Sequence, residues 1–160
     1  MSTPSDDHPE QIDLFAEDVI AGRQPGAPVL RGQGAAVAAV ALGGAIGAVA
    51  RWALTALAPA PPGGFPLTTF LINVIGCLLM GVLVVLVAEA REAHPIVRPF
   101  LGVGVLGGFT TFSSFAVEAH QLFDRGHLGV GVLYLVATAV VAVVAVVVGL
   151  GVTRRVAGVR

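Results

Sequence analysis

The chain has no lysine and one cysteine, and charged side chains make up only 12% of its 160 residues. Soluble domains carry about twice that share of charge, so an ordinary water-exposed fold is excluded. The lone Cys77 lies within an apolar run, which rules out an intrachain disulfide and leaves it as a small packing residue. The four histidines are scattered without metal-ligand spacing and are read as non-functional. The extreme terminus lacks both a basic region and an apolar core, so no signal peptide is expected. No nucleophile–base pairing, zinc spacing or phosphate loop is present, and an enzyme is not expected. Gly102, Gly104 and Gly107 match the dinucleotide fingerprint in letters. No strand precedes them and they sit inside an apolar run, so that match is rejected.

What the chain does have is apolar length. Hydrophobic residues make up 56% of it, gathered in runs at 35–58, 67–88, 96–123 and 128–152. Each meets the ~20 residues that a helix needs to cross the hydrocarbon core. The connectors 59–66, 89–95 and 124–127 carry prolines or charge. A buried soluble bundle would need polar stripes, which 133–148 lacks. The expectation is an all-α integral membrane protein with four transmembrane helices over 34–153. Residues 1–33 hold six of the ten carboxylates and are expected to be an acidic, mostly disordered tail. Ile12, Phe15, Ala16, Val19 and Ile20 also fit a short amphipathic helix that docks on a partner. Residues 154–160 read as a basic C-terminal tail.

Arginines orient the spans. Arg23, Arg31, Arg91, Arg98, Arg154, Arg155 and Arg160 share one side, whereas the other holds only Arg125. Both termini are therefore expected in the cytoplasm, with the chain in the cell membrane.

The most informative stretch runs from Gly107 to Phe115, where hydroxyls alternate with phenyl rings behind a glycine pair. Read as helix, Phe109, Phe112 and Phe115 share one stripe, Thr110 and Ser113 a second, and Thr111, Ser114 and Glu118 a third. Polar groups then point several ways at membrane depth, which suits burial against protein or a pore. Gly107-Gly108 and the threonines after it also point to an interrupted third helix. A break frees backbone carbonyls, which in membranes often coordinate a cation; a tight helix crossing is the plainer account.

Other spans add single polar groups. Ala39, Gly43, Gly47 and Arg51 follow at four-residue steps, a small-residue face ending in a charge. Arg51 either snorkels to the interface or lines an aqueous vestibule that draws in an anion. Asn73 either donates to an ion or ties two helices together. Tyr134 and Thr138 share a helix face, with Tyr134 also fitting an interfacial aromatic belt. Glu118 is the acidic group toward the end of the third span. Hydrogen-bond donors with almost no carboxylate favour an anion over a cation, and phenyl edges carry the positive part of the ring quadrupole.

Three stretches, 43–51, 68–76 and 107–115, resemble the CrcB/Fluc family of small fluoride channels over about 34–152. The resemblance implies passive fluoride export through an antiparallel dimer with two pathways along the subunit interface. It implies that Phe112 and Phe115 contact fluoride, that Asn73 donates to it, and that Arg51 lines the vestibule. Ser113, Tyr134 and Thr138 would form a polar track, with Glu118 near a pathway mouth. Backbone carbonyls of Gly107 and Thr110 would hold a structural Na+ at the dimer axis. Ala142 departs from the family's hydroxyl track. The arginine asymmetry departs further, because antiparallel homodimers must insert both ways. The expected partner is an oppositely oriented homologue, with a homodimer as the competing view. Rival readings are a small multidrug-type proton-coupled exporter, which depends on a first-span glutamate, and an accessory subunit of a heterodimeric channel.

Overall fold

The computed structural model describes residues 33–89 and 96–158. The expectations for the acidic tail and its amphipathic stretch, and for Arg23, Arg31, Arg91 and Arg160, lie outside these residues. The regular elements are α1 (Gly34–Leu57), α2 (Leu67–Glu89), the π-helical α3 (Pro99–Leu106), the single turn α4 (Gly107–Phe109), α5 (Ser113–Asp124) and α6 (Leu128–Ala157). Four stretches are long and apolar enough to cross a membrane: Gly34–Leu57, Leu67–Val87, Pro99–Asp124 and Leu128–Ala157. At 1.5 Å rise per residue, even the 21 residues of the second reach about 30 Å, the thickness of the hydrocarbon core. Valine-rich α6 is helical despite β-branched propensity, because lipid leaves the backbone no other partner than itself.

Small residues decide how the helices meet. Ala39, Gly43 and Gly47 are the buried positions of α1, as their four-residue spacing predicts. A Cβ on Gly43 would lie 3.1 Å from Gly104 Cα, and one on Gly108 would lie 3.0 Å from Gly44 Cα. The seam between α1 and the third span is thus backbone on backbone. The α2–α6 seam is built alike, with a Gly149 Cβ falling 3.3 Å from Gly81 Cα. Such contacts gain dispersion energy where lipid offers no hydrophobic drive. Larger side chains such as Leu42, Val132 and Val143 are exposed, as lipid-facing residues are.

The third span departs from a uniform helix. In α3 the Gly107 N–H reaches Gly102 O, five residues back, as well as Gly104 O. After Phe109 the chain turns extended at Thr110 (φ −74°, ψ 158°), and α5 begins at Ser113. Phe109, Phe112 and Phe115 therefore do not form the single stripe that a continuous helix predicts. The departure comes three residues after the first glycine of the pair, at the β-branched threonines.

Near the ends, α6 continues through 154–157, so Arg154 and Arg155 belong to its last turn instead of a separate tail. Cations there face the negative end of the helix dipole, and left-handed Gly158 (φ 70°) closes the helix by donating to Arg154 O. At the opposite end Tyr134, Ala119 and Leu122 form a small core, flanked by Phe65, Phe70 and Phe115.

Candidate functional site

Asn73 in α2 sits opposite the extended stretch. Its Nδ2 donates to Thr111 O at 3.0 Å, and its Oδ1 accepts the Thr111 N–H at 2.9 Å. The Thr111 hydroxyl oxygen in turn accepts the Ser114 N–H at 3.1 Å, capping α5. From α1, Arg51 Nε donates to Gly108 O at 3.2 Å, and Nη1 lies 3.5 Å from Ser114 Oγ. The guanidinium is half-buried on the third span. Its charge is thus directed at a carbonyl and a hydroxyl.

Beside this stretch runs an open groove of about 330 Å³, lined by Asn73, Thr110, Thr111, Phe112, Phe115 and Thr138 among others. Cys77, Ala139 and Ala142 complete its apolar wall. The Thr138 Oγ1 is buried without a hydrogen-bond partner, the one such side-chain atom found among the described residues. A helical threonine can turn that hydroxyl back to its own chain; here no such bond is made. Phe112 and Phe115 have ring centroids 5.9 Å apart. Phe115 is pinned against Tyr134 at 5.1 Å, whereas Phe112 is 80% exposed.

The other polar residues stand apart from the groove wall. Tyr134 is fully buried and its hydroxyl donates to Glu118 Oε2 at 2.7 Å. Thr69, also buried, donates to Glu118 Oε1 at 2.8 Å. Glu118 borders two crevices under the 59–66 connector, of about 130 and 200 Å³, the first also reached by Gln121 and Arg125. Ser113 does not line the groove; its Oγ lies 3.3 Å from Thr111 Oγ1.

Nothing in the sequence marks out Thr111 or Thr69. Each is one hydroxyl among several, and only the fold shows that Thr111 caps a helix while Thr69 serves a carboxylate. Of the histidines, His120 lies 3.3 Å from exposed Asp124, and the His127 ring lies under left-handed Gly63. His8 and His94 lie outside the described residues. No cluster of three or more His, Cys, Asp or Glu occurs among the described residues, so any metal held there would need other donors.

Backbone oxygen is one such donor. In an unbroken helix the Gly107 carbonyl would accept from Thr111 and the Thr110 carbonyl from Ser114. Both N–H groups are directed elsewhere, to Asn73 Oδ1 and Thr111 Oγ1.

Residues 38–150 match the family described as CrcB-like protein, Camphor Resistance (CrcB). The fluoride-specific ion channel FluC 1 of Streptomyces coelicolor is 52% identical over 126 residues, covering 79% of this chain and 82% of the relative. FluC 2 of Streptomyces avermitilis is 49% identical over 133 residues, 82% of each chain. The FluC channel of Paracoccus denitrificans is 44% identical over 115 residues, 72% of this chain and 91% of its own. With helices long enough to span a membrane four times, a groove of phenyl rings and threonines at the third of them and this likeness across most of its length, the chain belongs to the CrcB family.

Proposed function

We propose that this chain is a subunit of a fluoride-selective channel that exports fluoride passively across the cell membrane. The observation that carries the reading is the groove, whose wall joins Phe112 and Phe115 to Asn73, Thr110, Thr111 and Thr138, the last with a buried hydroxyl that has no hydrogen-bond partner. A small anion must exchange hydration for O–H and ring-edge contacts, and the groove supplies both without a carboxylate in its lining. Fluoride enters a cell as neutral hydrogen fluoride, ionises in a near-neutral cytoplasm, and leaves as the ion. The relatives' names as fluoride-specific channels support the same reading.

The groove lies open along one side, and Phe112 projects from it, so a second subunit is needed to close a pathway. The arrangement we infer is an antiparallel dimer in which the third spans, interrupted at Thr110, meet at the axis. Arg98, Arg154 and Arg155 against Arg125 alone, among the described residues, favour one orientation with both termini cytoplasmic. The partner is then an oppositely oriented homologue. A structural Na+ at the axis fits the Gly107 and Thr110 carbonyls, whose helical donors are directed elsewhere. When bound, the ion would supply a fixed positive charge between the subunits.

Fluoride efflux from liposomes holding the purified chain, with a chloride control, tests the reading. Rapid fluoride-selective efflux from this chain alone establishes the channel and replaces the heterologous partner by a homodimer. Efflux only with an oppositely oriented homologue establishes the mixed dimer. Silence in both refutes the channel. Unchanged flux in mixed dimers carrying Phe112→Ala or Asn73→Ala would instead make this chain an accessory subunit. A proton-coupled exporter is disfavoured by α1, which contains Arg51 and no acidic residue.

A further inference from the structure

We infer that Asn73 and Thr111 are positioning residues that turn the Gly107 and Thr110 carbonyls out of the helical ladder and so build an oxygen-lined cation site. The inference rests on the sodium reading above and assigns that site its makers.

Each buried N–H or C=O at membrane depth must find a partner, or leave an unmet cost of several kcal/mol. At the break, Asn73 satisfies both backbone groups of Thr111 with one carboxamide: N–H to Oδ1 at 2.9 Å, C=O from Nδ2 at 3.0 Å. Gly107 O thereby loses the donor that α-helical continuation would have given it. Thr111 Oγ1 takes the Ser114 N–H at 3.1 Å, and Thr110 O loses its donor in the same way. Thr110 is the residue whose backbone turns extended, which swings its carbonyl off the helix direction. Gly108 differs, because Arg51 Nε occupies its carbonyl at 3.2 Å. Side chains therefore cover Gly108 O and Thr111 O, whereas the Gly107 and Thr110 carbonyls lose their helical donors to Asn73 and Thr111. Neutral carbonyl oxygens with no N–H donor suit a hard monovalent cation such as sodium. The Asn73 amide thus acts on the backbone, in addition to bordering the groove.

Thermal unfolding of the full chain, with its partner homologue where one is needed, is measured during sodium titration against N-methylglucamine. Fluoride efflux is recorded on the same preparations. The unaltered protein is expected to gain stability with sodium. Thr111→Val removes the acceptor, lets Ser114 N–H return to Thr110 O, and should require about tenfold more sodium for the half-effect. Thr111→Ser and Thr111→Asn keep a capping oxygen and should respond as the unaltered protein does. Thr111→Ala repeats the loss if the valine variant does not fold. Equal sodium response in all four variants overturns the assignment. An unaltered protein blind to sodium overturns the cation site with it, while its efflux separately decides the channel reading.

Discussion

The carboxamide of Asn73 holds the main chain of Thr111 by two hydrogen bonds, joining positions 38 residues apart in sequence. One side chain on α2 thereby sets where the third span stops being helical. Asn73→Ala should lose both bonds. Interhelical hydrogen bonds in membranes average about 0.6 kcal/mol, so a stability loss of about 1 kcal/mol is expected in thermal unfolding. Fluoride flux should fall far more, at least about tenfold, because the groove wall moves with Thr111. Flux preserved by Asn73→Ala but lost by Phe112→Ala would show that Asn73 is only a tie between helices.

Glu118 offers a second test. Its two oxygens accept from Thr69 and Tyr134 at 2.8 and 2.7 Å. Tyr134→Phe keeps the ring against Phe65 and Phe115 but strips one donor from the carboxylate. A loss of about 1–3 kcal/mol is expected. Combined with Glu118→Gln, the two losses should be less than additive by at least about 0.5 kcal/mol in a double-mutant cycle. Strict additivity would mean that the bond carries no coupling.

The α2–α6 seam predicts a packing effect remote from the groove. Gly149→Val adds a Cβ that overlaps the Leu78 carbonyl, and backbone cannot rotate aside as a side chain can. Destabilisation of about 1–3 kcal/mol is expected from overpacking. Gly151→Val on the same helix, with nothing within 4 Å of its Cβ position, should be nearly silent. Unfolding measured side by side separates the two.

Ala142 lies on the groove wall beside Thr138, where the hydroxyl track of the family resemblance stops. Ala142→Ser should extend that track by one donor. A net hydrogen bond of about 0.5–1 kcal/mol corresponds to a two- to fivefold rise in fluoride flux, read by electrode from liposomes. A fall would mean that the apolar wall itself is required.

Much of this architecture was legible in the chain because lipid imposes simple rules. Apolar length located the four spans to within a few residues at most ends, and the spacing of Ala39, Gly43 and Gly47 identified the buried face of α1. Phe112, Phe115, Asn73 and Thr138 stand out in the sequence as polar or aromatic exceptions at depth, and they line one groove. Less legible was what each polar group bonds to. In sequence Asn73 fits a donor to an ion or a tie between helices equally, and its bonds to Thr111 follow from a chain path that periodicity cannot show. The π-helical turns of α3 left no signature, since glycine and valine spacing there fits several helix pitches. The end of α6 is also less legible, since arginines that read as a basic tail complete a helix electrostatically when they fall in its last turn.

Phe115 and Phe112, three residues apart, differ in what holds them still. Phe115 packs on its own chain's Tyr134, whereas four-fifths of Phe112 touches nothing in this subunit. In an isolated subunit the first ring should reorient slowly and the second freely. Ring-flip rates for Phe112 then become a clock for assembly: the side chain falls quiet only when another surface arrives to cover it.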